Sequence, residues 1–363
     1  MFLAPKKIDW YIFRKFMGTF FVALLLIIGI VIIFDVSEKI DDFVENKAPL
    51  RSIIFDYYLN FIPYFINMYS PMFVFITVIF FTSKMASNSE IVAILSGGIS
   101  FHRMMIPYMV AATLITALSL ALNLFVIPDS NKEKFEFEQK YMKQKPKAAN
   151  RNIHYQLSPG EFVYAESFSS WNNTAYKFTL EKIEDSKLVS KISAETAVYD
   201  TLKGCWTLKK YFIREFNDDL TDDIRSGRKM DTIIPLTVKD FYFSENAVTT
   251  LDYKELDEMI RIQSMRGDAN VKFALIEKHT RYALPFSAFI LTIIGVSLSS
   301  KKRRGGIGWN IALGIALAFT YILFMRFSQM FVHTDTLSPA VALWLPNFVY
   351  AVIAIALYRM APK

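Results

Sequence analysis

The sequence predicts an α-helical polytopic membrane protein with six transmembrane helices and a β-rich domain inserted between helices 3 and 4. The first observation behind this prediction is a set of six long runs without Asp, Glu, Lys or Arg: Phe16–Phe34, Tyr57–Ser83, Met104–Pro128, Tyr282–Ser300, Gly305–Met325 and Thr336–Tyr358. A helix that crosses a bilayer needs about 20 such residues. The second observation is the polar, charged stretch from Asp129 to about Lys278, which contains short alternating segments.

The composition agrees with a lipid environment. The chain has 363 residues, of which 53% are hydrophobic and 33 are Phe. The first run is long for the core of a signal peptide, and Phe34, Asp35 and Val36 after it form no cleavage pattern, so it is interpreted as an uncleaved span. The single cysteine, Cys205, excludes an intrachain disulfide and a cysteine zinc site.

Basic residues predict the orientation of the spans. They flank the ends that face one side of the membrane: Lys6, Lys7, Arg14, Lys15, Lys84, Arg103, Lys301, Lys302, Arg303, Arg304, Arg359 and Lys363. Positively charged loops stay in the cytoplasm, so both termini are expected inside and the inserted domain outside. Because these charges lie close to span ends, the net charge of +7 is not interpreted as nucleic-acid binding.

The segment between spans two and three, NSEIVAILSGGISFHRMM, predicts a short helix near residues 87–98. Asn88 or Ser87 is the expected N-cap, and Glu90 lies in the first turn, where a carboxylate meets the positive end of the helix. An apolar stripe follows, and two glycines are expected to end the helix in a left-handed conformation. Such a helix either seals its own bundle or lies on the membrane surface or in a groove of a partner.

The polar stretch predicts many short strands in a sandwich or an open barrel. The clearest strand segments are EFVYAES, AYKFTLEKI, SAETAVYD and CWTLKKYFIREF, with turn signals beside them. Asp129–Lys145 is interpreted as a charged helix or linker, and Leu251–Gly267 as an amphipathic helix that stops at its glycine. The expected parts are therefore residues 1–128 with three spans, 129–276 with the β domain, and 277–363 with three spans.

Catalytic and nucleotide-binding signatures are missing from the sequence. It contains no G-x-x-x-x-G-K-[ST], no H-E-x-x-H and no G-x-S-x-G. Its four histidines are scattered, and the spans offer mainly amides and hydroxyls. The chain is therefore not expected to be an enzyme, and transport by it would need energy from a partner.

In its layout and local motifs the chain resembles the LptF/LptG-type (YjgP/YjgQ) permeases of the lipopolysaccharide export system. The resemblance covers essentially the whole sequence. It is carried by SEIVAILSGGIS, by LDYKELDEMI and by EKHTRYALPFSAFILTIIGVSLSSKKRRGG, in this order and on either side of the inserted domain.

The resemblance implies a subunit of an ABC-type exporter in the inner membrane. ATP is used by a cytoplasmic ATPase dimer, and no cofactor is bound by this chain itself. A second LptF/LptG-like subunit pairs with it, with a lipid cavity between them lined mainly by spans one and five of each. The outer domain is implied to be a periplasmic β-jellyroll that passes lipopolysaccharide to LptC/LptA-like bridge proteins. The short helix is implied to be the coupling helix on the ATPase, with contact residues Glu90, Ile91, Ile94, Leu95 and Gly97.

Four cations are candidate contacts for lipid phosphates. Lys39 lies just beyond span one, where the alternative is a solvated pair with a neighbouring acid. Arg326 interrupts span five, where it either meets a phosphate or snorkels to the interface. Arg281 heads span four and is otherwise an interfacial anchor, and Lys132 above span three is otherwise part of a solvated face. Prolines within the spans predict kinks: Pro63, Pro71 and Pro285.

Two other functions remain open from the sequence. One is a permease subunit for another envelope lipid or a lipoprotein. The other is a membrane-anchored scaffold whose outer domain binds partners without transport. The sequence also leaves open whether the chain is F-like or G-like, and whether its dimer is of like or unlike chains.

Overall fold

The computed structural model describes residues 7–142, 151–169, 172–185, 187–201, 203–216, 221–236, 245–265, 267–268, 270–301 and 306–361. The chain divides into two compact units. The helical unit contains Met1–Met142, Thr249–Tyr253 and Leu275–Lys363, and the β unit contains Lys143–Val248 and Lys254–Ala274. The residues up to Met142 thus group with the helices, whereas the sequence placed the start of the inserted domain at residue 129.

Nine helices are present in the described residues. They are α1 (Lys7–Glu45), α2 (Leu50–Ser87), α3 (Glu90–Ser96), α4 (Phe101–Tyr141), α5 (Glu245–Val248), α6 (Tyr253–Met265), α7 (Val271–Ser299), α8 (Gly306–His333) and α9 (Pro339–Met360). Short π-helical turns interrupt α2 at Ile53–Tyr58 and α4 at Leu122–Val126.

The six predicted spans are confirmed as helices long and apolar enough to cross a membrane: α1, α2, α4, α7, α8 and α9. With 39 residues, α1 is about 58 Å long at 1.5 Å per residue, so it exceeds an apolar layer of about 30 Å. Of the two interpretations of Asp129–Lys145, the helix is confirmed as far as Tyr141, and residues 143–145 lie outside the described residues.

The helices pack around a core that brings together α1, α2, α4 and α7, with Phe16, Val78, Tyr108 and Val296 fully buried. A second cluster joins α2 to α7, α8 and α9. Gly314 of α8 lies directly against α2, because a Cβ there would overlap Ile79 Cδ1 and that side chain would have to shift. Tight approach through small residues is the usual way in which helices associate in lipid.

Prolines leave backbone carbonyls without their helical partners, and side chains replace those partners. Pro71 cannot bond the carbonyl of Asn67, and Ser70 Oγ donates to that oxygen at 3.0 Å. Pro285 cannot bond the carbonyl of Arg281, and Asn123 Nδ2 from the π turn of α4 donates to it at 3.1 Å. The helices can therefore contain these prolines without unsatisfied backbone groups, as an apolar solvent requires.

The β unit contains one antiparallel sheet. Its strands are β1 (Arg151–Ser158), β2 (Glu161–Ser169), β3 (Thr174–Glu184), β4 (Lys187–Asp200), β5 (Cys205–Phe216) and β6 (Asp222–Thr232), paired in sequence order. The four quoted strand segments all lie in strands, and the amphipathic helix is confirmed as α6, followed by Gly267 at φ 64°. The described strands form an up-and-down arrangement, and the jellyroll stays a prediction.

One face of the sheet carries the core of the β unit. Trp206, Phe178 and Leu208 are fully buried there, and Trp206 Nε1 donates to the carbonyl of Leu236 at 2.7 Å. The buried indole is thus satisfied, which a Trp in an apolar core requires.

A line of irregular residues crosses the sheet from strand to strand. Asn152, Lys177 and Lys210 on alternate strands have φ of 54°, 47° and 49°. The register places Glu195 of β4 between the last two. Side chains of a strand normally alternate between the two faces of the sheet, and each left-handed residue interrupts this alternation. Residues that face the core before and after the line are therefore three positions apart along the strand instead of two, as are Leu208 and Tyr211.

Candidate functional site

The short helix α3 begins directly after α2. The predicted caps Asn88 and Ser87 are wrong, because α2 runs through Ser87 and the N–H of Asn88 still bonds the carbonyl of Lys84. The N-cap is Ser89, which turns the chain at φ 60° and makes no side-chain cap. The tight turn leaves no room for a longer cap segment.

The other end of α3 matches the prediction in part. Gly98 has φ of 79°, the left-handed conformation expected there, whereas Gly97 has φ of −77°. The N–H of Gly98 bonds the carbonyl of Leu95 at 3.0 Å. One glycine therefore ends the helix.

The apolar stripe of α3 faces its own bundle. Ile91 is fully buried, and Ile94 and Leu95 pack against the same core cluster. The opposite side of the helix is exposed and consists of small and apolar residues: Val92, Ala93, Ser96 and Gly97. The sequence found the stripe but not the exposed residues, which are the ones a partner could contact.

Hydrogen bonds tie Glu90 to the first helix. Tyr11 Oη donates to Glu90 Oε2 at 2.8 Å, and Lys15 Nζ donates to the same Tyr11 oxygen. Asn88 Nδ2 also donates to Glu90 Oε1 at 3.3 Å. Glu90 remains partly exposed, so its carboxylate joins α1 while still accessible.

Further contacts fix the start of α4 to the first and last helices. Arg103 Nη1 and Nη2 donate to Asp9 Oδ1 and Oδ2 of α1, at 2.7 and 2.5 Å. His102 Nδ1 lies 3.1 Å from Tyr358 Oη of α9, and the Phe101 and Tyr358 rings are in contact. These contacts join the start of α4 to α1 and to α9, and the bidentate pair between Arg103 and Asp9 is of the stronger, charge-assisted kind.

Lys39 lies at the opposite end of α1, in an aromatic and acidic surrounding. Its Nζ is 2.7 Å from Asp35 Oδ1 and also donates to Tyr57 Oη. Tyr58 Oη donates to the second oxygen of Asp35 at 3.1 Å. The acid that pairs with Lys39 is one turn earlier on the helix, and none of the neighbours Glu38, Asp41 and Asp42 pairs with it.

A second lysine approaches the same aromatic cluster. Lys134 of α4 lies 5.8 Å from the centroid of Phe61 and pairs with Glu138 at 3.4 Å. Lys39 lies 6.0 Å from that same ring. Each ammonium thus has an acid and an aromatic face, a combination that holds cations in place. The i, i+4 spacing of the acids could have revealed these pairs, whereas the shared ring depends on packing.

The other three predicted cations lie in different environments. Arg281 is 4% exposed, with Nε 2.8 Å from Glu277 and Nη2 3.5 Å from the carbonyl of Thr249. Lys132 is exposed on α4. Arg326 is exposed on α8, where it reaches Gln329 at 3.4 Å but no described carboxylate within 4.0 Å. The four cations therefore differ in burial and in their partners.

Four of the six spans leave most of their apolar stretch uncovered. The buried share of the most apolar window is 22% in α1, 28% in α8, 33% in α9 and 39% in α4, against 61% in α2 and 67% in α7. The uncovered face of α1 presents large side chains such as Leu25, Leu26 and Ile33. The two least covered spans, α1 and α8, are the first and the fifth along the chain. Their uncovered apolar faces are available to lipid or to another helix.

A comparison with family models identifies a relationship over nearly the full length. The model described as "Lipopolysaccharide export system permease LptF/LptG" matches residues 10–360. A search of curated proteins finds no match. The six apolar spans, the inserted sheet and this match together make the chain a multi-pass membrane protein of the permease type. The chain belongs to the LptF/LptG family of lipopolysaccharide export system permeases.

Proposed function

We propose that this chain is the transmembrane subunit of an ABC-type exporter that extracts lipopolysaccharide from the inner membrane and delivers it to a periplasmic bridge. ATP is hydrolysed by a separate cytoplasmic ATPase dimer, and no cofactor is held by this chain. Family membership supports the lipid class. The observation that carries the coupling role is the position of α3, which exposes one face while its other face is bonded to α1 and to the core.

The coupling step follows from these contacts. A partner would bind the exposed side of α3, which consists of Val92, Ser96, Gly97 and the accessible edge of Glu90. Its motion would move α3 as one rigid helix. The buried Ile91 and the partly buried Ile94 and Leu95 would transmit that motion to the core, and Glu90 with Tyr11 would transmit it to α1. The predicted coupling residues therefore divide into two outward contacts, Glu90 and Gly97, and three inward ones.

The uncovered faces of α1 and α8 support a second LptF/LptG-like subunit. Moving a multi-chain lipid into water costs about 0.8 kcal/mol per CH₂, so the acyl chains need cover throughout the path. A cavity between two subunits, walled by spans one and five of each, provides that cover. Motion of α1, driven from α3, would change the width of this cavity.

Lipid phosphates are proposed to meet cations beyond the cavity. Arg326 is exposed and has no described acid partner, so its guanidinium could bind a phosphate without first leaving a carboxylate. Lys39 is held by Asp35 and Tyr57, so a phosphate would compete with the Asp35 carboxylate for its ammonium group. Lys132 is accessible. Arg281 would have to leave Glu277, so its contact with substrate requires rearrangement.

The orientation and outer partners complete the proposal. Both termini and α3 face the cytoplasm, in agreement with the basic residues near Lys84 and Arg103. The β unit then lies in the periplasm, where a jellyroll would pass lipopolysaccharide to LptC/LptA-like proteins. Nucleic acid is not among the proposed partners.

The test of this function separates docking from internal support. Glu90→Ala removes both the docking carboxylate and the bond to Tyr11, whereas Tyr11→Phe keeps the carboxylate and removes only the internal bonds of the Tyr11 hydroxyl with Glu90 and Lys15. We expect Glu90→Ala to abolish co-purification of the ATPase and Tyr11→Phe to retain it with weakened export. Unimpaired ATPase binding and export in Glu90→Ala would refute the coupling role.

The two other candidate functions give different results in the same preparation. Mass spectrometry of the co-purified lipid would show a phospholipid or lipoprotein if the chain serves another envelope lipid. A wild-type protein that purifies with periplasmic partners but never with an ATPase would be a scaffold.

A further inference from the structure

A cationic groove opens on the exposed side of the β unit. It has a volume of about 600 Å³ and is lined by side chains of β5 and β6: Lys209, Lys210, Arg228 and Lys229. All four residues are exposed. The four cations proposed above as phosphate contacts all lie on the helices, and no role has been given to these four residues of the sheet.

The register of the sheet sets like charges against each other in this groove. Lys209 of β5 is the direct partner of Lys229 on β6. Like charges in directly opposed positions destabilise a sheet. Other cations of the sheet pair with acids on a neighbouring strand, as in Lys177–Glu166, Lys191–Glu181 and Arg225–Glu215. Lys209 and Lys229 instead have each other as cross-strand partners.

The charge of the groove is only partly neutralised. Lys210 pairs with Glu195 at 2.5 Å. Thr207 donates a hydrogen bond to Asp231, and this bond together with Lys229 and Lys203 lowers the pKa of Asp231. Lys209 and Arg228 have no described carboxylate within 4.0 Å. An excess of positive charge thus remains at one place.

We propose that this groove binds a ligand that carries two or more phosphate groups on sugar rings, namely the phosphorylated saccharide part of the exported lipid. The proposal rests on the proposed function. Lysines provide point charges for phosphates, and the planar guanidinium of Arg228 can bind one with two hydrogen bonds. The ligand would relieve the repulsion between Lys209 and Lys229.

The experiment uses the full-length protein in detergent and inositol hexakisphosphate as a soluble, lipid-free probe. Calorimetry compares the wild type with a groove variant, Lys209→Gln/Arg228→Gln/Lys229→Gln. The control variant, Lys177→Gln/Lys191→Gln/Arg225→Gln, removes the same charge from paired positions of the same sheet. We expect the Kd to rise about tenfold in the groove variant and less than threefold in the control, since each exposed cation contributes about a factor of two to three.

Three outcomes would overturn the proposal. Equal weakening in both variants would mean that only the net field attracts the probe. Release of the probe by polyglutamate at the same charge concentration would assign the groove to an acidic protein. Groove-dependent binding to phosphatidylglycerol vesicles without binding of the probe would assign it to a bilayer surface. ATPase co-purification is measured on the same variants, so a failed proposed function is recognised separately.

Discussion

Asn123 holds a buried polar junction between three helices, and its removal is the sharpest structural prediction. Its Nδ2 donates to the carbonyl of Arg281, which Pro285 leaves without a partner, and its Oδ1 accepts from Asn67 Nδ2 at 2.7 Å. Asn123 and Asn67 are 7% and 4% exposed. Asn123→Leu preserves the approximate volume while leaving both of these groups unpaired.

The expected cost follows from those two groups. A buried donor or acceptor without a partner costs about 1–3 kcal/mol, and interhelical hydrogen bonds in membrane proteins average about 0.6 kcal/mol. Asn123→Leu should therefore lower the free energy of unfolding by about 2–4 kcal/mol. The control is Asn60→Leu, because Asn60 is exposed and donates only to carbonyls of its own helix, at 3.1 and 3.0 Å.

Reversible unfolding in mixed micelles measures both variants. We expect Asn60→Leu to change the free energy of unfolding by less than about 1 kcal/mol. Equal effects of the two substitutions, or a change below about 0.5 kcal/mol in Asn123→Leu, would show that the junction does not stabilise the proline-containing helix.

Three more predictions concern packing, substrate and pH. Gly314→Leu should prevent close packing of α8, which would lower the folded yield after detergent extraction; an unchanged yield would contradict the collision. Asp35→Asn should free Lys39 and raise lipopolysaccharide affinity about threefold to tenfold in a detergent binding assay, and a loss of affinity would contradict competition by the carboxylate. The pKa of Asp231 is lowered in the folded protein, so the ionised carboxylate stabilises the fold fully above its ordinary pKa, and this stabilisation is lost as the pH falls through the lowered pKa. Thr207→Val should shift the pKa of Asp231 upward in an NMR titration. An unshifted pKa would exclude the Thr207 hydroxyl as the cause.

The spans and strands were predictable because each depends on a local pattern. An uncharged run of bilayer length, such as Phe16–Phe34, has few other uses, and CWTLKKYFIREF coincides with β5. The helix α3 was predicted from its spacing, but periodicity shows that a stripe exists without showing what covers it. Ile91 is covered by its own bundle, so the outward face could be known only from the packing.

Pairings between distant segments were beyond the reach of the sequence. The bond from Tyr11 to Glu90 joins residues 79 positions apart, and the opposition of Lys209 and Lys229 depends on strand register. Register is sensitive to single irregular positions, and the register of this sheet shifts between Gln156 and Ser158 and between Lys182 and Ile183. The N-cap of α3 was missed for a related reason, because α2 uses the residues that would have capped it.

The central claim is that a separate ATPase acts on this chain through the exposed face of α3. The most direct measurement is photo-crosslinking in native membranes from benzoylphenylalanine placed at Val92 or Ser96, with a probe at Thr336 between α8 and α9 as the control. The account predicts an ATPase adduct from the two positions on α3 and none from Thr336. Absence of any ATPase adduct at Val92 and Ser96, in cells that still export lipopolysaccharide through this protein, would contradict it.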